Sequence, residues 1–216
     1  MKLFFSSIGK KLQVAISGIL LVVFLVFHLF NNLVLFTGAD NFNSMVHFLE
    51  SIKPIIRVME FGLLMLLLVH TINAIKLTID NKKISPKVHG KPKTPTSTIN
   101  SRTMAVSGSI ILVFLFMHLG YIWLTYQSHA MAVNETYYDV LLRSNFGYLN
   151  HPPTAIFYII AILSIAFHLR HGFQSAVKTF GLLNSSFVYY LGFIFWGLVP
   201  AGFIIIVLSI QIGVIQ

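Results

Sequence analysis

Apolar residues run almost unbroken through five stretches of the chain, near Leu12–Phe36, Ile55–Ile79, Thr103–Thr125, Thr154–Val177 and Val188–Val214. Each can cross a hydrocarbon core of about 30 Å as a helix, which takes about 20 residues at 1.5 Å per residue. A spanning barrel would instead show short alternating segments. The pattern therefore predicts an all-α integral membrane bundle of five transmembrane helices, a single membrane domain over residues 1–216. Between the first two runs, "GADNFNSMVHFLESI" (Gly38–Ile52) is too polar to span. Phe42, Met45, Phe48 and Leu49 recur there at roughly helical spacing, which predicts an amphipathic helix over about 40–52 on the outer surface. The stretch from Asp80 to Arg102 is rich in Lys, Pro, Ser and Thr and reads as a solvated connector or as a docking surface for a cytoplasmic partner. The outer loop from Ser128 to Pro153 ends in "HPP", and proline there suits the start of a helix.

Composition sharpens this. Of 216 residues, 56% are hydrophobic and 10% charged, far from the balance of a soluble domain. Almost nothing is left for a soluble domain, so chemistry on a polar substrate is expected to need soluble partners. There is no cysteine, which excludes disulfides, thiolate metal sites, iron–sulfur ligation and covalent c-type haem on this chain. The run after "MKLFFSSIGKKLQ" is long for a signal peptide and is expected to be an uncleaved first span. The net charge of +9 does not predict a nucleic-acid partner, because the basic residues lie in the loops of a membrane protein. Lys2, Lys10 and Lys11 precede the first span. Lys76, Lys82, Lys83, Lys87, Lys91, Lys93 and Arg102 fall between the second and third, and Arg170 and Lys178 end the fourth. The opposite side holds only Lys53, Arg57 and Arg143. The positive-inside rule then puts the N-terminus in the cytoplasm and the C-terminus outside.

The chain also repeats itself. "AISGILLVVFLVFHLF" (Ala15–Phe30) aligns without gaps on "AVSGSIILVFLFMHLG" (Ala105–Gly120), so that His28 corresponds to His118. The second and fourth spans are less alike, but each has its own histidine, His70 and His168. An ionisable group at such depth is costly and is expected to face the bundle interior with a partner. His28 and His118 lie about 24 and 22 Å along spans that run outward, near the outer face. His70 and His168 lie about 22 Å along spans that run inward, near the inner face. Two pairs at two depths, about 15 Å apart, are what two bis-histidine b haems stacked across a membrane need.

Ser17 and Ser107 stand eleven positions before His28 and His118, about three turns, at the depth of the inner pair. Their small side chains leave room for a flat macrocycle, or serve ordinary close packing of helices. Arg170 and Lys178 lie beyond His168, where haem propionates would emerge; equally, they are ordinary flanking charge. Gly172 leaves space at the helix surface. Competing uses of the histidines fit less well. Zinc hydrolysis needs a carboxylate base, and Glu60 is the only carboxylate within a span; di-iron bundles need Glu-x-x-His pairs, which are absent. A haem-free transporter relaying protons through histidines would show broken helices and a charged core. A dihaem cytochrome b of another membrane dehydrogenase, such as a hydrogenase, also fits the pattern.

Several segments resemble the single-chain, five-helix, dihaem cytochrome b subunits of succinate:quinone and quinol:fumarate oxidoreductases. They are "FHLFNN" around His28, "FNSMVHFLESI" in the outer loop, "HTINA" at His70, "MHL" at His118 and "FHLRHGFQSAVKTFG" at His168. The resemblance covers nearly the whole chain through the fourth span. It implies a multi-pass anchor in the bacterial cytoplasmic membrane, joined to an FAD-containing flavoprotein subunit and an iron–sulfur subunit that hold the dicarboxylate chemistry. It implies two haem b groups, the inner held by His70 and His168 and the outer by His28 and His118. It also implies electron transfer to or from a quinone, menaquinone in this class. Some menaquinol:fumarate reductases of the class carry a glutamate two residues before the fourth ligand; Ala166 stands there in this chain. Candidate quinone residues are Asn32, on the face of His28, and His47 and Glu50, three apart in the outer amphipathic helix. His89, His129 and His151 read as surface residues.

Overall fold

Ser6 starts the first helix: its hydroxyl accepts from the Gly9 amide at 3.1 Å, satisfying one of the donors a helix start leaves free. In this computed structural model residues 6–84, 99–129, 131–182 and 186–216 are described. Lys2, Lys87, His89, Lys91 and Lys93 lie outside them, as do the side chains of Lys82, Lys83 and Arg102. Helix α1 (Ser7–Leu33) runs through the first apolar stretch into a 3-10 turn, Val34–Thr37. Gly38, at φ 96°, then turns the chain into α2 (Ala39–Ser51). Helix α3 (Lys53–Ile84) leads back, and α4 (Ile99–His118) crosses again. A π-helical turn, Leu119–Trp123, joins α4 to α5 (Leu124–Ser128). After the short α6 (Tyr137–Leu141) come α7 (Pro152–Thr179) and α8 (Ser186–Phe193). A second π turn, Ile194–Leu198, leads into α9 (Val199–Gln211).

No strand occurs among the described residues. Five helices are long and apolar enough to cross a membrane: Ser7–Thr37, Lys53–Asp80, Thr103–Ser128, Pro152–Thr179 and Ser186–Gln211. Large apolar side chains such as Phe27, Phe61, Phe116 and Ile156 stand exposed on their outer faces, as lipid contact requires. The structure adds three details. The connector expected over Asp80–Arg102 is helical at both ends, since α3 runs to Ile84 and α4 begins at Ile99. Lysine is a good helix former, so a helix can continue past the apolar stretch into water. The spans are not all regular: the third and fifth each carry a π turn, which widens the helix without breaking it. Within α2, Phe42 is buried, whereas Phe48 is exposed.

Helix α7 is the centre of the bundle, packing against α1, α4, α8 and α9. Helix α3 packs chiefly on α1. At its inner end Lys10 pairs with Asp80 at 3.0 Å and Asn73 donates to Gln13 at 2.8 Å. The densest core lies toward the outer end, where Leu29, Leu35, Phe42, Phe114, Ile122, Tyr158 and Ile206 meet the segment between α5 and α7.

That segment, expected to be a loop, is a folded cap. Thr136 and Asp139 form a reciprocal capping box at the start of α6. Tyr137, Tyr138, Val140, Leu141, Tyr148 and Leu149 are all buried. The Tyr138 amide donates to Asn43 of α2 at 3.0 Å, Tyr126 donates to the Tyr137 carbonyl at 2.7 Å, and Gln211 donates to the Leu149 carbonyl at 2.7 Å. Gly147, at φ 97°, lies so close to Tyr121 that a Cβ would overlap the ring. His151 is not simply surface: it precedes α7, with Nδ1 2.9 Å from the buried Thr154 hydroxyl.

Arg143 ties the cap together, donating to both Glu135 oxygens at 2.7 and 2.6 Å and to the Tyr148 hydroxyl at 2.7 Å. These bonds hold the Glu135 carboxyl down to about 2. A carboxyl depressed in the folded state stabilises it above the unfolded value, near 4.5, and that contribution is lost as pH falls toward about 2. Limited proteolysis of the cap should therefore accelerate across this window. Glu135→Gln should already show fast cleavage at neutral pH and little acid dependence. Arg143→Ala should cost about 1–3 kcal/mol in a thermal or denaturant melt.

Candidate functional site

Between the helices lies one cavity of about 2240 Å³, lined mostly by apolar side chains and by His28, His70, His118 and His168. Ordinary ligand pockets hold roughly 300–1,000 Å³, so this volume suits more than one large ligand. The four histidines meet in two pairs. The His28 and His118 ring centroids are 5.7 Å apart with planes at 83°, and those of His70 and His168 are 6.3 Å apart at 61°.

Each inner ring is seated by the repeated segment of a neighbouring helix. The Ser17 Oγ is 3.2 Å from His70 Nδ1, and Ser107 Oγ is 3.2 Å from His168 Nδ1. The Val14 carbonyl also lies 3.2 Å from His70 Nδ1. A Cβ on Gly18 would come within 3.2 Å of His70 Cε1, and one on Gly108 within 3.5 Å of His168 Cε1. In both repeats the serine therefore meets the ring nitrogen, and in the first the glycine also makes room for the ring. In the sequence Ser17 and Ser107 read as room for a macrocycle or as close helix packing, and their contacts with the rings become visible only in the structure.

The outer rings are held differently. His28 stacks on Phe24, and His118 on Phe114, each at 5.5 Å and one turn earlier on its own helix. His118 Nδ1 lies 3.3 Å from the Tyr158 hydroxyl. Asn32 donates chiefly to the His28 carbonyl at 2.8 Å, and its contact to His28 Nδ1 is long, 3.5 Å. Ser17 touches His70 and stands eleven residues before His28 on α1, so the two pairs lie about 16 Å apart along that helix.

The cavity ends differ in chemistry. At the inner end Lys11, His171 and Lys178 line it. Arg170 does not; its guanidinium lies 5.2 Å over the Trp196 ring of the fifth span. At the outer end Asn32, Glu50, Arg57, Glu60, Trp123, Gln127 and Tyr137 line it, but the exposed His47 does not. His47 instead approaches Glu50 at 3.5 Å, and His129 approaches it at 4.0 Å. Burial, together with the Glu50 carboxylate, pushes the Tyr137 hydroxyl up to about 12.

A polar strap crosses the outer mouth. Arg57 donates to Glu60 at 2.7 Å and to Gln127, and Trp123 donates to Glu60 at 2.8 Å. Its signal in the sequence was Glu60, a charge inside an apolar run with Arg57 one turn earlier. Trp123 is the last residue of the π turn Leu119–Trp123.

The residues fit haem. Two imidazoles sharing one metal ion through bonds of about 2 Å stand with centroids roughly 6 Å apart, close to both separations found. Metal-binding histidines characteristically spend their second nitrogen on an oxygen partner, as His70 and His168 do here with the serines.

The structure defines a class by its architecture, a multi-pass helical membrane protein with two imidazole pairs facing an apolar cavity. Sequence comparison adds that residues 13–100 match the family of succinate dehydrogenase/fumarate reductase transmembrane subunits. It is similar to the succinate dehydrogenase cytochrome b558 subunit of Bacillus subtilis (strain 168), 26% identical over 174 residues covering 80% of this chain and 79% of that protein. No solved structure matches it.

Trp123 and Trp196 are the two tryptophans, so the strap can be read by fluorescence. Glu60→Ala should shift the emission and loosen the outer mouth by stranding Arg57. Glu60→Gln, which keeps an acceptor for the indole, should shift the emission much less.

Proposed function

We propose that this chain is the dihaem, quinone-reactive anchor of a succinate dehydrogenase or fumarate reductase, holding its flavoprotein and iron–sulfur subunits on the cytoplasmic face of a bacterial membrane. The observation that carries this reading is the pair of facing imidazole couples, at two levels of one apolar cavity. Among the described residues no group of three or more His, Cys, Asp or Glu side chains could hold a metal ion by itself. Two facing nitrogens per metal suffice where a macrocycle supplies the remaining ligands, as haem b would.

In this reading His70 and His168 hold the inner haem, and His28 and His118 the outer. When bound, haem b supplies one-electron redox chemistry between the iron–sulfur subunit and membrane quinone. The chain's own residues do the rest. The four rings fix position and level, and the apolar walls exclude water. Lys178 and Lys11 offer positive charge to propionates at the inner end, where His171 also lines the cavity. Arg170 is the second propionate candidate; its guanidinium lies 5.2 Å over the Trp196 ring, a contact through its face that leaves its N–H edge to donate. At the outer end a quinone, menaquinone by the family resemblance, would find amide and carboxylate groups at Asn32 and Glu50, with His47 acting through its contact with Glu50. The positive flanks of the inner ends support the orientation, N-terminus in the cytoplasm.

A reduced-minus-oxidised optical spectrum of the purified complex tests this directly. Two b-type haems per chain are expected. His70→Ala and His168→Ala should remove the same spectral component, and His28→Ala and His118→Ala the other. Loss of one component by both His70→Ala and His118→Ala would refute the pairing.

A further inference from the structure

We infer that Ser17 and Ser107 are positioning residues that fix the tautomer of His70 and His168 and thereby set the potential of the inner haem. The inference rests on the haem reading above and deepens it. The Ser17 hydroxyl has its proton committed to its own helix, lying 2.6 Å from the Gln13 carbonyl, and the Ser107 hydroxyl lies 3.1 Å from the Met104 carbonyl. Each serine oxygen is then left to accept, so the nearby Nδ1 must donate. For His70 a second observation agrees: the Val14 carbonyl beside Nδ1 can only accept a hydrogen bond. Both rings therefore carry their proton on Nδ1, which leaves the Nε2 lone pair, across the ring, for iron.

The same chemistry tunes the ligand. An Nδ1–H that donates to oxygen makes the ring a stronger electron donor and favours the ferric state. Removing the acceptor should favour the ferrous state and raise the potential. The two sites are not equivalent. His70 has two acceptors, Ser17 Oγ and the Val14 carbonyl, whereas Ser107 Oγ is the acceptor found at His168 Nδ1. Loss of Ser107 should thus matter more than loss of Ser17, although the two serines occupy equivalent places in the repeat.

The test is a potentiometric titration of the haem bands in the whole complex, comparing wild type with Ser17→Ala, Ser107→Ala and Ser107→Thr. Ser107→Ala should change the ferric-to-ferrous ratio of the inner component about tenfold at fixed ambient potential, an upward shift of ~59 mV. Ser17→Ala should shift it less, in the same direction. Ser107→Thr, which keeps the hydroxyl, should not shift it, and the outer component should stay in place in all three. If Ser107→Ala loses the inner haem altogether and Ser107→Thr retains it, the hydroxyl is again what matters. Unmoved potentials in both alanine variants, a larger effect at Ser17, or loss of the haem in Ser107→Thr as well would overturn the inference. A wild-type complex without haem would instead overturn the reading beneath it.

Discussion

A polar ring inside a membrane has to satisfy its nitrogens without water, and much of this bundle follows from that constraint. Each inner histidine reaches to a serine on a neighbouring helix, α3 to α1 and α7 to α4. The His70 ring comes so near α1 that a Cβ on Gly18 would crowd it at 3.2 Å, while a Cβ on Gly108 would meet His168 at an ordinary contact distance of 3.5 Å. The outer histidines follow another rule: they lie flat against phenylalanines of their own helices, with Tyr158 as the polar neighbour of one of them. The interior thus combines apolar walls with a small number of directed polar contacts, the usual composition of a site that binds a large cofactor.

Such a bundle is hollow, and a hollow bundle needs bracing at its ends. Helix α3 illustrates the need, since it leans chiefly on α1. Polar bonds secure it at both ends, Lys10–Asp80 and Gln13–Asn73 near the inner face, and Arg57 and Glu60 to Trp123 and Gln127 near the outer. They fix the ends of a helix that the core holds only along one side. The outer cap does the same for the other helices, fastening α2, α5 and α9 around buried tyrosines.

The spans were legible because lipid imposes a simple condition on composition, and length then follows from the thickness of the bilayer. The cap was not legible. Its helix α6 is a single short turn, and its stability comes from contacts such as Asn43 with Tyr138 that join residues far apart in the chain. Polar sequence at the ends of α3 and α4 likewise reads as loop, although lysine-rich segments are content as helix when they extend one already formed. Arg170 shows the limit for single residues: flanking charge could be read, but its stacking on Trp196 depends on how the fifth span lies against the fourth.

By itself the sequence determined five crossings, an outer amphipathic helix, and four histidines at two depths, because periodicity and rise per residue convert position along a helix into depth in a membrane. It also held the repeat that places Ser17-Gly18 and Ser107-Gly108 at equivalent points. Only the tertiary structure decided that these segments seat the inner rings, that Glu60 belongs to a strap, and that Lys178 lines the cavity while Arg170 lies over Trp196. Depth is a property of one helix, whereas rotation about its axis and the choice of neighbour are fixed only when all the helices pack together.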